Sequence, residues 1–205
     1  MKYASQLLVW VGFGLMATFV LLWSLFSAGY VFEDPGGWAA VGFVIAFALP
    51  MVLLAVGAWF WPTLGTWVLG IATAIALGGY LWVAIDPETI RTAMDQTGPF
   101  LGVGMTVLLL PLAVLGLKRP LTAGGLMSAL AVLSYASFVA GLMRDDWQGF
   151  GGTLMTSSTV ACLPTLIVGL VFLAAGTLRH LDGKRSATPP QTQPPIGGRH
   201  LPTAA

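Results

Sequence analysis

Six apolar runs divide this chain, and none contains an aspartate, glutamate, lysine, arginine or histidine. They are about Leu7 to Val31, Ala39 to Trp61, Leu64 to Ile85, Phe100 to Leu117, Leu121 to Met143 and Leu154 to Leu178. A membrane crossing needs about 20 apolar residues in helical form. A charge at the bilayer centre costs about 2.5–3.5 kcal/mol on insertion scales, so runs free of charge enter lipid unaided. Lipid offers the backbone no hydrogen-bond partner, so each run is expected to close its own bonds as a helix. Only 8% of the 205 residues are charged and 57% are hydrophobic. A soluble domain carries about a quarter charged. The expected fold class is therefore all-α: a polytopic membrane protein with six transmembrane helices in a compact bundle.

The charges between the runs are sorted by side. Seven of the eight carboxylates (Glu33, Asp34, Asp86, Glu88, Asp95, Asp145, Asp146) follow runs one, three and five. Seven of the nine basic residues (Lys2, Lys118, Arg119, Arg179, Lys184, Arg185, Arg199) precede run one or follow runs four and six. Arg91 and Arg144 are the exceptions. Cytoplasmic loops retain lysine and arginine, so the pattern predicts a multi-pass protein of the cell (inner or plasma) membrane with both termini cytoplasmic. Run one far exceeds the roughly 7–15 residues of a signal-peptide core, so it is read as a retained first span. Trp38, Trp82 and Trp147 mark the outer headgroup level, Trp59 and Trp61 the inner one. The tight connection Trp61-Pro62-Thr63 predicts that runs two and three are antiparallel neighbours.

Two segments lie outside the runs. Asp86-Pro87 reads as an N-cap with proline in the first helical position, which suggests a short surface helix ended by Gly98-Pro99. A capped turn is the plainer alternative. Residues 1–180 form the membrane domain. Residues 181–205, with Pro189, Pro190, Pro194, Pro195 and Pro202, are expected to be a disordered cytoplasmic tail, because they have too little apolar surface to offset ordering entropy. No two of these prolines have the PxxP spacing.

Runs two, four and six each hold one internal proline in similar surroundings: Pro50, Pro111 and Pro164. Runs one, three and five each end near a small-residue pair followed by an acidic turn. This suggests three repeated helical hairpins, related by an axis along the membrane normal. A helical proline pushes away the carbonyl four residues earlier, here those of Ala46, Val107 and Val160. Such carbonyls could line a solute path together with Thr156, Ser157 and Thr159. The plainer reading is a set of ordinary kinks re-satisfied by hydroxyls such as Thr106. Small residues at spacing four (Gly98/Gly102, Ala72/Ala76, Gly125/Ala129) permit close helix approach.

No catalytic, cofactor-binding or metal-binding motif is found. The single cysteine, Cys162, excludes an internal disulfide, and its depth suggests an inert thiol. A hydroxyl nucleophile needs a base, and no run supplies one. The carboxylates Glu33, Asp34, Asp86, Glu88, Asp145 and Asp146 could form an outer acidic rim that gathers cations, although topology alone accounts for most of that charge. The net charge of +1 implies no nucleic-acid partner. Expected partners are the lipid bilayer, with a membrane-protein partner or a second copy as further options. Three functions are open. The favoured one is a non-catalytic accessory or structural membrane component. The second is a small transporter or channel for a neutral or weakly charged solute. The third, and weakest, is a membrane enzyme using the outer carboxylates, so the reading leans away from an enzyme.

Overall fold

The computed structural model describes residues 2–33, 37–85, 100–142 and 150–187, and these are helical except at Trp61 and Arg119. The helices are α1 (Lys2–Glu33), α2 (Gly37–Phe60), α3 (Pro62–Ile85), α4 (Phe100–Lys118), α5 (Pro120–Leu142) and α6 (Phe150–Ala187). Each expected run lies on one helix, with boundaries shifted by a few residues. Three helical stretches are long and apolar enough to cross a membrane: Tyr3–Leu25, Pro62–Trp82 and Cys162–Asp182. The described apolar stretches of the other helices are shorter: Ile45–Phe60, Val107–Lys118 and Pro120–Ala136. The expected surface segment at 86–99 lies outside the described residues, as do residues 188–205 of the tail.

Helix α6 continues past the end of the sixth run to Ala187, so the first residues of the expected disordered tail, 181–187, are helical. Nothing between Leu178 and Ala187 breaks it, since the first proline is Pro189. Lys184 and Arg185 near its end are the residue type that a helix C-terminus favours.

The two one-residue breaks have the same cause. Pro62 and Pro120 cannot donate a backbone hydrogen bond, and each opens the next helix. The chain around each break still bonds at helical spacing: Trp61 N donates to the Gly57 carbonyl at 2.9 Å, and Arg119 N to the Leu115 carbonyl at 2.7 Å. In the α2–α3 hairpin a Cβ at Gly65 would lie 2.8 Å from the Ala58 Cα. Glycine is required there because two backbones meet.

Helix α4 is the centre of the bundle. It touches all five others, while α1, α6, α5, α3 and α2 follow one another around it. Burial agrees: Leu109, Pro111, Leu112, Ala113, Leu115 and Gly116 are all buried, and Val107, Leu110, Val114 and Leu117 on the remaining face of α4 are half-buried. By contrast α1 buries one stripe, Ser5, Val9, Gly12, Met16 and Val20, at the three-to-four spacing of a helix face. In α2 only Ala58 is buried among the described residues. The outward faces are apolar too: Leu7, Leu22, Leu53, Trp67, Ile71 and Ile75 are among many large hydrophobic side chains left exposed. A bundle apolar both inside and outside suits lipid as its solvent.

The hairpins suggested by the sequence pattern are packed unequally. Helices α5 and α6 share the most extensive contact in the bundle, whereas α1 and α2 barely touch among the described residues. The second helices of the three units also occupy different places, α4 at the centre and α2 and α6 at the periphery.

Close backbone approach explains the α5–α6 seam. A Cβ at Gly124 would lie 2.7 Å from the Gly169 carbonyl oxygen, and one at Gly176 would lie 2.8 Å from Leu121 N. The residues that make this approach are Gly124 and Ser128, not the neighbouring Gly125 and Ala129; Gly125 faces open space. A one-residue shift turns a helix position by about 100°, and an all-apolar helix carries no polar face to reveal which register points inward. Phe172 then fills the junction of three helices. It is fully buried, with its ring against Gly116 of α4 and Gly12 of α1.

Candidate functional site

Packing sets the helix directions. Gly12, near the start of α1, meets Phe172 in the C-terminal half of α6, and the same ring meets Gly116 near the end of α4. Leu121 at the start of α5 meets Gly176. The start of α1 and the ends of α4 and α6 thus share one end of the bundle with the α2–α3 and α4–α5 turns. The chain positions of Lys2, Lys118, Arg119, Arg179, Lys184 and Arg185 all fall at this end. Helices α1, α3 and α5 lead away from it. Glu33 is the last residue of α1, with its side chain outside the described residues, and Asp34, Asp86, Glu88, Asp145 and Asp146 lie outside them altogether.

The two turns at the basic end are joined by side chains. Lys118 donates its ammonium to the carbonyl of Trp59 in the last turn of α2 and also lies 4.7 Å from the centre of the Trp59 ring. The end of a helix carries unsatisfied carbonyls and partial negative charge, so a cation is favourable there, and the indole face adds a cation–π attraction. Arg119 Nη2 donates to Thr63 Oγ1 at 2.8 Å in the first turn of α3. Both cations are exposed, and these contacts are with neutral groups: a carbonyl, an indole ring and a hydroxyl. Phe60 and Trp61 stand beside them, also exposed, with ring centres 6.3 Å apart. The sequence marks Lys118 and Arg119 only as topology signals. Their use as a clamp on the α2–α3 turn depends on α2 lying against α4, which no local pattern reveals.

The interior polar groups are hydroxyls and one thiol. Ser134 Oγ lies 2.6 Å from the Leu130 carbonyl and 3.2 Å from Cys162 Sγ. Its single proton goes to the carbonyl, which leaves the thiol to donate to the serine oxygen. Cys162 is 6% exposed. This pair links α5 to α6 and holds no base that could generate a nucleophile. Thr73 Oγ1 on α3 and Ser128 Oγ on α5 are buried with no hydrogen-bond partner. Thr73, Ser128 and Ser134 stand out less in the sequence than the denser Thr156-Ser157-Ser158-Thr159 cluster. Their one signal was a lone hydroxyl in an apolar run, which usually bonds its own helix, as Ser134 does.

The three prolines do not share an environment. Pro111 is buried in the central helix, Pro164 is half-buried and Pro50 is exposed. Helices α2 and α6 hardly touch. Thr156, Ser157 and Thr159 fall within α6, and their side chains lie outside the described residues. Among the described residues no group of histidine, cysteine, aspartate and glutamate is placed to hold a metal ion. Among the described residues, the best-defined polar surface is therefore the clamped basic end. No protein-family model, curated protein or solved structure matches this chain.

Proposed function

We propose that this chain is a six-span integral membrane protein of the cell membrane, with its basic end in the cytoplasm, acting as a non-catalytic accessory or structural component. The observation that carries the reading is the way the centre is filled. From Val107 to Leu117 helix α4 has buried or half-buried residues and no exposed one, and Phe172 fills the space between Gly116 and Gly12. A packed apolar centre suits a protein that holds position in the bilayer and presents its surfaces to lipid or to another membrane protein. The lengths of α2, α4 and α5 support the six crossings. They have 24, 19 and 23 residues, which at about 1.5 Å per residue gives roughly 28–36 Å. The bilayer core is about 30 Å thick.

Two measurements test this proposal. In a Cys162→Ser background, a membrane-impermeant maleimide added to intact cells is expected to label Asp34→Cys and to leave Lys184→Cys unlabelled. The reverse pattern overturns the orientation. Purified protein in liposomes is expected to leave glycerol-driven and urea-driven swelling at the protein-free rate. Faster swelling overturns the non-transport role and restores the channel reading.

A further inference from the structure

We infer that the basic end carries a preformed site for the headgroup of an anionic phospholipid, built from the α2–α3 and α4–α5 turns. The proposal rests on the six-span reading with this end at the cytoplasmic leaflet. Three observations lead to it. First, Lys118 and Arg119 are exposed cations held in place by neutral partners, the Trp59 carbonyl and ring and the Thr63 hydroxyl. Those contacts orient the cations without neutralising them. Second, the formally charged side chains described at this end are Lys118, Arg119 and Arg179 against one carboxylate, Asp182, so a bound anion meets a positive field. Third, Trp59, Phe60 and Trp61 are 43%, 66% and 64% exposed around the same turn. Aromatic rings of this kind rest at the boundary of headgroups and acyl chains.

Each feature fits one part of a phospholipid. The remaining donors of the Lys118 ammonium and the Arg119 guanidinium reach the phosphate. Arginine has five donors and spends one on Thr63, which leaves the rest of its fork for phosphate oxygens. The aromatic wall meets the glycerol and upper acyl chains. Cations already fixed by the protein lose little freedom when the lipid binds, so more of the attraction appears as affinity. A lipid with net negative charge is selected over a zwitterionic one, whose own ammonium is repelled by the pair.

The test uses the full chain purified in a mild detergent, with stepwise addition of phosphatidylglycerol or phosphatidylcholine and native mass spectrometry to count bound lipid. The first equivalent of phosphatidylglycerol is expected to bind at least about 10-fold tighter than phosphatidylcholine, and Lys118→Gln/Arg119→Gln is expected to weaken it about 30-fold. The charge-conserving Lys118→Arg/Arg119→Lys protein keeps most of the preference. Thr63→Val, which retains both charges but frees Arg119, weakens phosphatidylglycerol about 3-fold and keeps the test valid if the double variant does not fold. Equal binding of the two lipids, or an unchanged preference in Lys118→Gln/Arg119→Gln, overturns the site. Complete displacement of the lipid by millimolar inorganic phosphate also overturns it, by making it a free-phosphate site. Carbonate extraction and maleimide labelling run in parallel. Wild-type protein that resists extraction and shows the expected labelling, yet has no lipid preference, refutes the headgroup site alone. Extraction of the wild-type protein by carbonate refutes the membrane reading beneath it.

Discussion

The α5–α6 seam and the α2–α3 arm are made from the same kinds of residue and are packed in opposite ways. In the seam, Gly124, Gly169 and Gly176 let one backbone lie against the other, and added side-chain carbons would meet main-chain atoms at 2.7–3.2 Å. In the arm, Gly57 and Gly70 have open space where a side chain would go, and most of α2 faces outward. Apolar character does not separate the two regions. Lipid tails attract leucine as well as another helix does, so helix association in a bilayer depends on close contact and a few polar bonds. The seam has close contact, and the Ser134–Cys162 pair adds a polar link. The arm closes at Gly65 and packs α2 against α4 and α3 against α5, and Lys118 and Arg119 add its polar links to the rest.

The contrast breaks most sharply at Gly169. Gly169→Leu would drive its side chain into Ser128 and the Gly124 carbonyl. Overpacking costs about 1–3 kcal/mol where neighbours can move, and here main-chain atoms, Ser128 N at 3.0 Å and the Gly124 carbonyl at 3.2 Å, stand behind the Ser128 hydroxyl. The expected outcome is loss of at least about 3 kcal/mol, read as loss of a monodisperse folded peak and a collapsed thermal midpoint in detergent. A near-wild-type midpoint would mean that the seam is looser than its distances state.

Phe172→Ala comes next. In water a buried phenylalanine lost to alanine costs about 3–5 kcal/mol, part of it transfer free energy. In lipid the transfer part largely disappears, leaving the cavity. We expect about 2–3 kcal/mol, measured by denaturant titration in micelles. A leucine at the same site should recover part of the loss, because it refills some of the space against Gly116 and Gly12.

The smallest effect is expected in the arm. Gly57→Ala and Gly70→Ala should change stability by no more than about 1 kcal/mol, in the stabilising direction, since alanine is the better helix former and meets nothing. A large loss at either site, with the fold otherwise intact, would show that something covers this face in the membrane. That result would turn the arm from a lipid-facing surface into a docking surface.

Much of the fold was legible in advance. The turn at Trp61-Pro62 could be read from its tight connection, since proline acts locally by removing a donor, and the turn at Arg119 from the charges that end the fourth run. The basic residues proved to share an end because charge sorting is a property of loops. The likeness of Pro50, Pro111 and Pro164 proved a poor guide, since the three lie on helices with different neighbours and different burial. The spacing Gly125/Ala129 missed the true approach by one position. Lys118 and Arg119 were visible as charges and invisible as a clamp.

Residue order alone determined the helices, the two proline-marked turns and which helix ends carry base, because those depend on main-chain hydrogen bonding, proline geometry and the cost of placing charge in lipid. Only the tertiary structure decided that α4 is central, that Phe172 fills the junction with Gly12 and Gly116, and that two cations grip the neighbouring turn. The reason is that a helix apolar on all sides gains about the same transfer energy whichever face turns inward. Shape, settled by small residues meeting large ones across the bundle, makes the choice.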